Sequence, residues 1–187
     1  MIYTKADLMN RRAGNPRNNP DDIVTDLEID AGMRILDLGT GGGYFAIRLS
    51  EATGPEGTVV AADTDPKMLS HLQDYKNLFH RDNIELLEVG REGIDLPEAS
   101  LDLVFARHVY HHIEDPVAYF QTLRPAVKPG GRVVIIDWQP KKFRLFKKEP
   151  HSTSDDICRV MTSLGFLLER EEHYLKKQSF LIFKKSL

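Results

Sequence analysis

Residues 34–45 read RILDLGTGGGYF. An apolar run closes on Asp37, and four glycines (Gly39, Gly41, Gly42 and Gly43) follow within five positions. Each glycine costs backbone entropy on folding, so such a cluster needs a physical reason. On one side, residues 33–38 read as a strand. On the other, Phe45, Leu49 and Ala52 fall at helical spacing. Flanks this tight exclude a loose linker. A phosphate-cradling loop of the Walker type is excluded too, because no Gly-Lys-Ser/Thr follows. The dinucleotide fingerprint G-x-G-x-x-G is incomplete, since Tyr44 stands where its third glycine belongs.

Outward from this loop the same alternation repeats. Residues 21–27 read as a short helix with acids in its first turn. Residues 58–62 form a buried-type strand that ends at Asp63, and Asp65-Pro66 supplies an N-cap and first-turn proline for the next helix. Residues 84–89 and 101–106 are further strands. Asp115-Pro116 opens a helix that Pro125 bends or shortens. Lys128-Pro129-Gly130-Gly131 reads as a turn into a strand over 132–137. Ser152-x-x-Asp155 resembles a capping box, Gly165 a helix stop, and residues 166–171 and 178–184 a closing pair of strands. Near-continuous apolar strands alternating with helices predict an α/β chain. Its sheet is doubly wound, mostly parallel and seven-stranded, with an antiparallel edge hairpin. Residues 21–187 read as a single domain. Residues 1–20 are polar, rich in Asn and Arg, and show neither a strand nor a long amphipathic helix; they read as an arm or as a lid over a pocket.

The 187 residues suit one compact domain, and 41% apolar composition can bury a core. A net charge of −3 exerts no global pull on nucleic acid or anionic membrane. The single cysteine, Cys158, excludes an internal disulfide framework and fits a reducing compartment. No apolar run has signal-peptide or membrane-spanning length, so a cytoplasmic protein without a membrane partner is expected.

The chemistry of the loop follows from its carboxylates. Asp37, placed before the glycines, would repel a diphosphate and suits a ligand with a positive end. Gly39 and Gly41 allow close backbone approach and supply amide donors. Asp63 lies twenty residues past Gly43, where a carboxylate accepts hydrogen bonds from vicinal ribose hydroxyls. A cationic amino group at one end and a ribose at the other describe S-adenosylmethionine. Two later stretches add to this: DLPEASLDLVFARHVYHHIEDP over 95–116 and VKPGGRVVIIDW over 127–138. With Asp63, Leu96-Pro97, His111-His112 and the Pro-Gly-Gly turn in this order, residues 20–184 resemble the small single-domain group of class I S-adenosylmethionine-dependent methyltransferases.

The resemblance implies a Rossmann-like methyltransferase fold, S-adenosylmethionine as cofactor and S-adenosylhomocysteine as product. It implies that Asp37 faces the methionine amino group through water, beside Gly39, Thr40, Gly41 and Gly43. Asp63 would bind the ribose, Thr64 and Met68 would lie near the adenine, and Glu92 would take the place of an adenine-reading aspartate. Arg107 and His108 would stand beside the sulfonium. His108, Tyr110, His111 and His112 follow the fourth strand, and histidine titrates near neutrality, so a general base is sought among them. The rival reading is that His111 only caps or packs a helix start. Trp138 and His151 are candidates for contact with the acceptor.

His108 and His111 lack the carboxylate or cysteine partners of a metal site, so no metal is expected. KKFRLFKKEPH over 141–151 interleaves basic and apolar residues. It leaves RNA or an anionic substrate as an alternative to the favoured small-molecule acceptor, or a plain solvated loop. Two rival functions stay in view: a nicotinamide-dependent oxidoreductase, and a non-catalytic module on the same fold.

Overall fold

The computed structural model describes residues 3–140 and 152–186. In chain order the elements are α1 (Lys5–Ala13), α2 (Pro20–Asp26), β1 (Arg34–Leu38), α3 (Tyr44–Thr53), β2 (Thr58–Asp63), α4 (Pro66–Leu78), β3 (Ile84–Glu88), β4 (Leu101–Arg107), α5 (Pro116–Leu123), β5 (Val127–Trp138), α6 (Ser154–Ser163), β6 (Phe166–Glu171) and β7 (Gln178–Lys185). One seven-stranded sheet has the order β3-β2-β1-β4-β5-β7-β6. It is mostly parallel, with an antiparallel pair at one edge. The order runs one way from β1 to β3 and the other way from β4 onward, the reversal that defines a doubly wound sheet.

The chain divides into two compact units. In the first, residues 1–90 with 101–104, β1 pairs in parallel with β2, and β2 with β3. Ile35, Leu36, Val59, Val60, Leu49 and Leu72 are fully or almost fully buried there, the pattern of parallel strands covered by helices. In the second, residues 91–100 with 105–187, β7 pairs antiparallel with both β5 and β6. Its core holds Phe105, Phe120, Phe166, Phe180 and Phe183.

Caps mark where the helices begin. Asp65 accepts from the Lys67 amide at 3.0 Å ahead of α4, and Asp115 accepts from the Ala118 amide at 3.0 Å ahead of α5. After Leu123 the chain tightens into a 3-10 turn over Arg124–Ala126, the shortening expected of Pro125.

The structure departs from the sequence reading at three places. Residues 5–13 form a helix, opened by a reciprocal Thr4–Asp7 capping box. The box before α6 is Thr153 with Asp156, one residue later than expected. Residues 128–131 lie inside β5 rather than in a turn ahead of it. Gly130, with φ +74°, takes up the bend there, and pairing with β7 begins at Arg132.

Candidate active site

In the first unit, β1 delivers Asp37 into the interior at 3% exposure. Thr40 Oγ1 donates to Asp37 Oδ2 at 2.6 Å. Burial pushes the Asp37 carboxyl up to about 7; the Thr40 hydrogen bond opposes the shift and the charge of Asp63 adds to it.

The glycine loop is tied mainly to the end of β2. The amides of Gly39 and Thr40 both donate to the Ala62 carbonyl at 2.9 Å, and Gly43 donates to the Thr40 carbonyl at 3.0 Å. The Gly41 amide donates to Asp63 Oδ2 at 2.8 Å, and the Asp65 amide to Asp63 Oδ1 at 3.0 Å. One carboxylate at the end of β2 is thus held by two backbone donors, one from the glycine loop and one from the N-cap of α4. Gly39, Gly41 and Gly43 have positive φ. Met68 is buried in α4 and Thr64 is exposed.

The second unit carries the histidines. β4 ends at half-buried Arg107, and His108 follows in the left-handed region at φ +57°, a conformation that costs a non-glycine residue energy and concentrates at functional sites. Its amide donates to the Ile136 carbonyl at 2.8 Å. Its Nε2 donates to Gln178 Oε1 at 2.6 Å. Its ring stacks on Trp138 with centroids 4.6 Å apart and planes 19° from parallel. Trp138 and Gln178 are register partners on β5 and β7, so antiparallel pairing sets this triad. Burial, followed by the Arg107 charge, lowers His108 to about 4 against the opposing Gln178 bond and Asp137, so its ring is neutral at pH 7.

His111 lies in the 3-10 turn Tyr110–His112. Its amide donates to Asp137 Oδ2 at 3.0 Å, and its Nδ1 donates to Asp137 Oδ1 at 2.7 Å. Asp137 is 2% exposed. Burial works against its charge, but the His111 imidazole and the amides of His111 and Trp138 outweigh it and hold the carboxyl below its usual range. This arrangement assigns the proton to Nδ1 and leaves Nε2 as the accepting nitrogen in the neutral ring. His112 is exposed, with its ring 4.0 Å from that of His111. Tyr110 is buried and stacked on Phe120, and burial pushes its hydroxyl up to about 12, so it stays protonated at neutral pH.

Glu92 is exposed in the second unit. His151 and the basic stretch 141–148 lie outside the described residues. Among the described residues, no group of three or more His, Cys, Asp or Glu could hold a metal ion, and no helix is long and apolar enough to cross a membrane.

Asp137 and Gln178 are the site residues that motif reasoning missed. A signal for Asp137 existed: like Asp37 and Asp63, it closes an apolar strand run. Gln178 carries no such mark.

Comparisons with known proteins agree with this architecture. A family model for the methyltransferase domain matches residues 10–174. The chain is 32% identical over 177 residues to the ubiquinone/menaquinone biosynthesis C-methyltransferase UbiE of Coxiella burnetii, an alignment covering 91% of this chain and 68% of that protein. It is 30% identical over 138 residues to a demethylmenaquinone methyltransferase of Oceanobacillus iheyensis, covering 73% of this chain and 58% of the relative. Among solved structures, a SAM-dependent methyltransferase from Aquifex aeolicus shares the fold with a TM-score of 0.83 at 21% identity, covering 98% of this chain and 99% of that one. The nicotinamide alternative gives way to these matches. The chain belongs to the methyltransferase-domain family and is an S-adenosylmethionine-dependent methyltransferase.

Proposed function

We propose that the protein methylates a carbon of a small hydroxylated aromatic ring of the hydroquinone type, with His111 as the base that takes the ring hydroxyl's proton. The observation that carries this reading is the His111–Asp137 pair, in which a buried carboxylate fixes the tautomer of a histidine at the end of β4. The quinone-related names of the two relatives support the acceptor class. So does the partly exposed Trp138 ring, backed by neutral His108, which offers a flat face to an aromatic acceptor.

The residues of the first unit fit the methyl donor. A buried carboxylate held near neutral pKa, Asp37, suits a cationic amino group. The Asp63 carboxylate, aimed by two amides, suits ribose hydroxyls. Met68 in the first turn of α4, and Thr64 just ahead of that helix, would lie by the adenine. Bound there, S-adenosylmethionine supplies an electrophilic methyl group on a sulfonium.

The protein's part is to raise the nucleophilicity of the acceptor and to align it. His111 Nε2 takes the proton of the ring hydroxyl, and Asp137 stabilises the imidazolium that forms. The electron pair released onto the oxygen raises electron density at the neighbouring ring carbon. That carbon would accept the methyl group from the bound donor, whose sulfonium would leave as the neutral thioether. The ring proton at the same carbon then moves to the oxygen, which restores aromaticity, and His111 passes its proton to solvent. The same reading places the protein in the cytoplasm, supported by its free Cys158 thiol.

The test is incubation with methyl-labelled S-adenosylmethionine and a reduced naphthoquinone carrying an open ring position, followed by mass spectrometry and NMR of the product. The label is expected on ring carbon. His111→Ala is expected to lower kcat by about 100-fold or more with little change in KM for the donor. Label on oxygen, or an unchanged kcat in the folded variant, would contradict the reading.

A further inference from the structure

Helix α1 folds onto the glycine loop, and its inner face carries Ala6, Asn10 and Ala13. Ala6 is 2% exposed. Asn10 Nδ2 donates to the Gly42 carbonyl at 2.8 Å, and the Tyr44 amide donates to Asn10 Oδ1 at 3.1 Å. Tyr44 is the first residue of α3, whose N-cap Gly43 has no side chain to offer. A helix begins with amides that lack intrahelical partners, and here one of them is satisfied from a different helix. The approach is close. A Cβ on Gly42 would collide with the Asn10 side chain and lie 2.5 Å from the Ala6 carbonyl oxygen, and one on Gly41 would lie 2.5 Å from Met9 Cε. Two of the four glycines therefore make room for α1 itself.

From this we infer that Asn10 is a positioning residue for the cofactor loop, acting through Gly42 and Tyr44 to aim the ribose-binding carboxylate. The route is short. Asn10 grips the loop on either side of Gly43, and the Gly41 amide in the same turn donates to Asp63 Oδ2 at 2.8 Å. Docked α1 keeps that amide directed at Asp63; with α1 released, the turn loses two hydrogen bonds and its packing against Met9. At the other end of the contact, Asp7 Oδ1 lies 3.9 Å from His71 Nε2 of α4, so α1 reaches both helices that flank the loop. The inference rests on the reading of the Gly39–Gly43 loop as the cofactor site.

Hydrogen exchange on the full chain, with and without S-adenosylhomocysteine, tests it without any substitution. The ligand is expected to slow exchange at residues 41–45 and at residues 5–13 together. Protection of the loop without α1 would overturn the proposal. Absence of protection in the loop would overturn the loop reading, and the proposal with it.

Calorimetry then assigns the effect to one side chain. Asn10→Ala is expected to weaken S-adenosylhomocysteine binding about fivefold, the scale of a lost helix cap. Leu8→Ala, at an exposed position of the same helix, is expected to leave binding unchanged. In an Asp63→Asn background the Asn10→Ala effect is expected to shrink, because the two act through one turn. Unchanged affinity in folded Asn10→Ala, or a full additive loss in the double variant, would reduce Asn10 to a structural contact.

Discussion

Asp37, Asp63 and Asp137 each close an apolar strand, and their surroundings give them different work. Asp63 is aimed by two backbone amides, and Asp137 is held ionised by the His111 ring and amide. Asp37 has one hydroxyl donor and a like charge near it, and burial raises it to about 7 from 3.8. The folded, ligand-free protein therefore holds a proton that the unfolded chain has already released between pH 3.8 and about 7. Asp37 adds to stability below that window, and the contribution is lost as pH rises through it. A cationic group beside Asp37 needs the proton gone, so affinity for S-adenosylhomocysteine is expected to rise with pH up to about 7 and then level. Denaturant melts and calorimetric titrations across this range check both slopes, and Asp37→Asn is expected to flatten both. Affinity that falls with rising pH would contradict the role given to Asp37.

At this scale the sequence was legible where a side chain sits beside its own motif. Asp37 and Asp63 could be read from their spacing to the glycines. Asp137 carried the same strand-end mark, but its partner His111 lies 26 residues away. Tyr110 could not be sorted from its neighbours, because a three-residue turn sends adjacent side chains to different environments: it is buried, while His112 is exposed.

Among the elements, the join between β1 and α3 is the most constrained. Gly43 caps α3 at φ +90°, and a Cβ there would collide with Leu72 Cδ1. Leu72 is fully buried. Gly43→Ala is expected to cost about 1–3 kcal/mol of stability in urea melts, from backbone strain alone and more if Leu72 must shift. A loss near zero would show that the loop relaxes freely.

The strands were readable because buried parallel strands are continuous apolar runs. Helix α1 was not, because its one buried residue is Ala6 and its grip on the loop comes from the polar, half-buried Asn10, which leaves no apolar periodicity. Its partner is the glycine loop, and tertiary fit decides what propensity leaves open. The capping box before α6 slipped by one because Ser152-x-x-Asp155 and Thr153-x-x-Asp156 match the pattern equally well; only the structure shows Thr153 Oγ1 accepting from the Asp156 amide.

For the whole molecule, strand–helix alternation was enough to predict a doubly wound sheet with an antiparallel edge. Register was beyond it. Gln178 meets His108 because β7 pairs with β5 so that Trp138 faces Gln178, a contact between segments some 70 residues apart. A doubly wound fold hosts many chemistries, so the assignment rests on the family match; the proposed site adds Asp37 and the amide-aimed Asp63 carboxylate beside the glycine loop in one unit, and the His111–Asp137 pair in the other.

The most direct test of the account is a calorimetric titration of the intact protein with S-adenosylmethionine and with S-adenosylhomocysteine, repeated on Asp63→Ala. The account predicts that both ligands bind the unmodified chain and that the variant binds them more weakly by about 1–3 kcal/mol, through lost ribose hydrogen bonds. No heat with either ligand, or unchanged affinity in a folded Asp63→Ala protein, would contradict it.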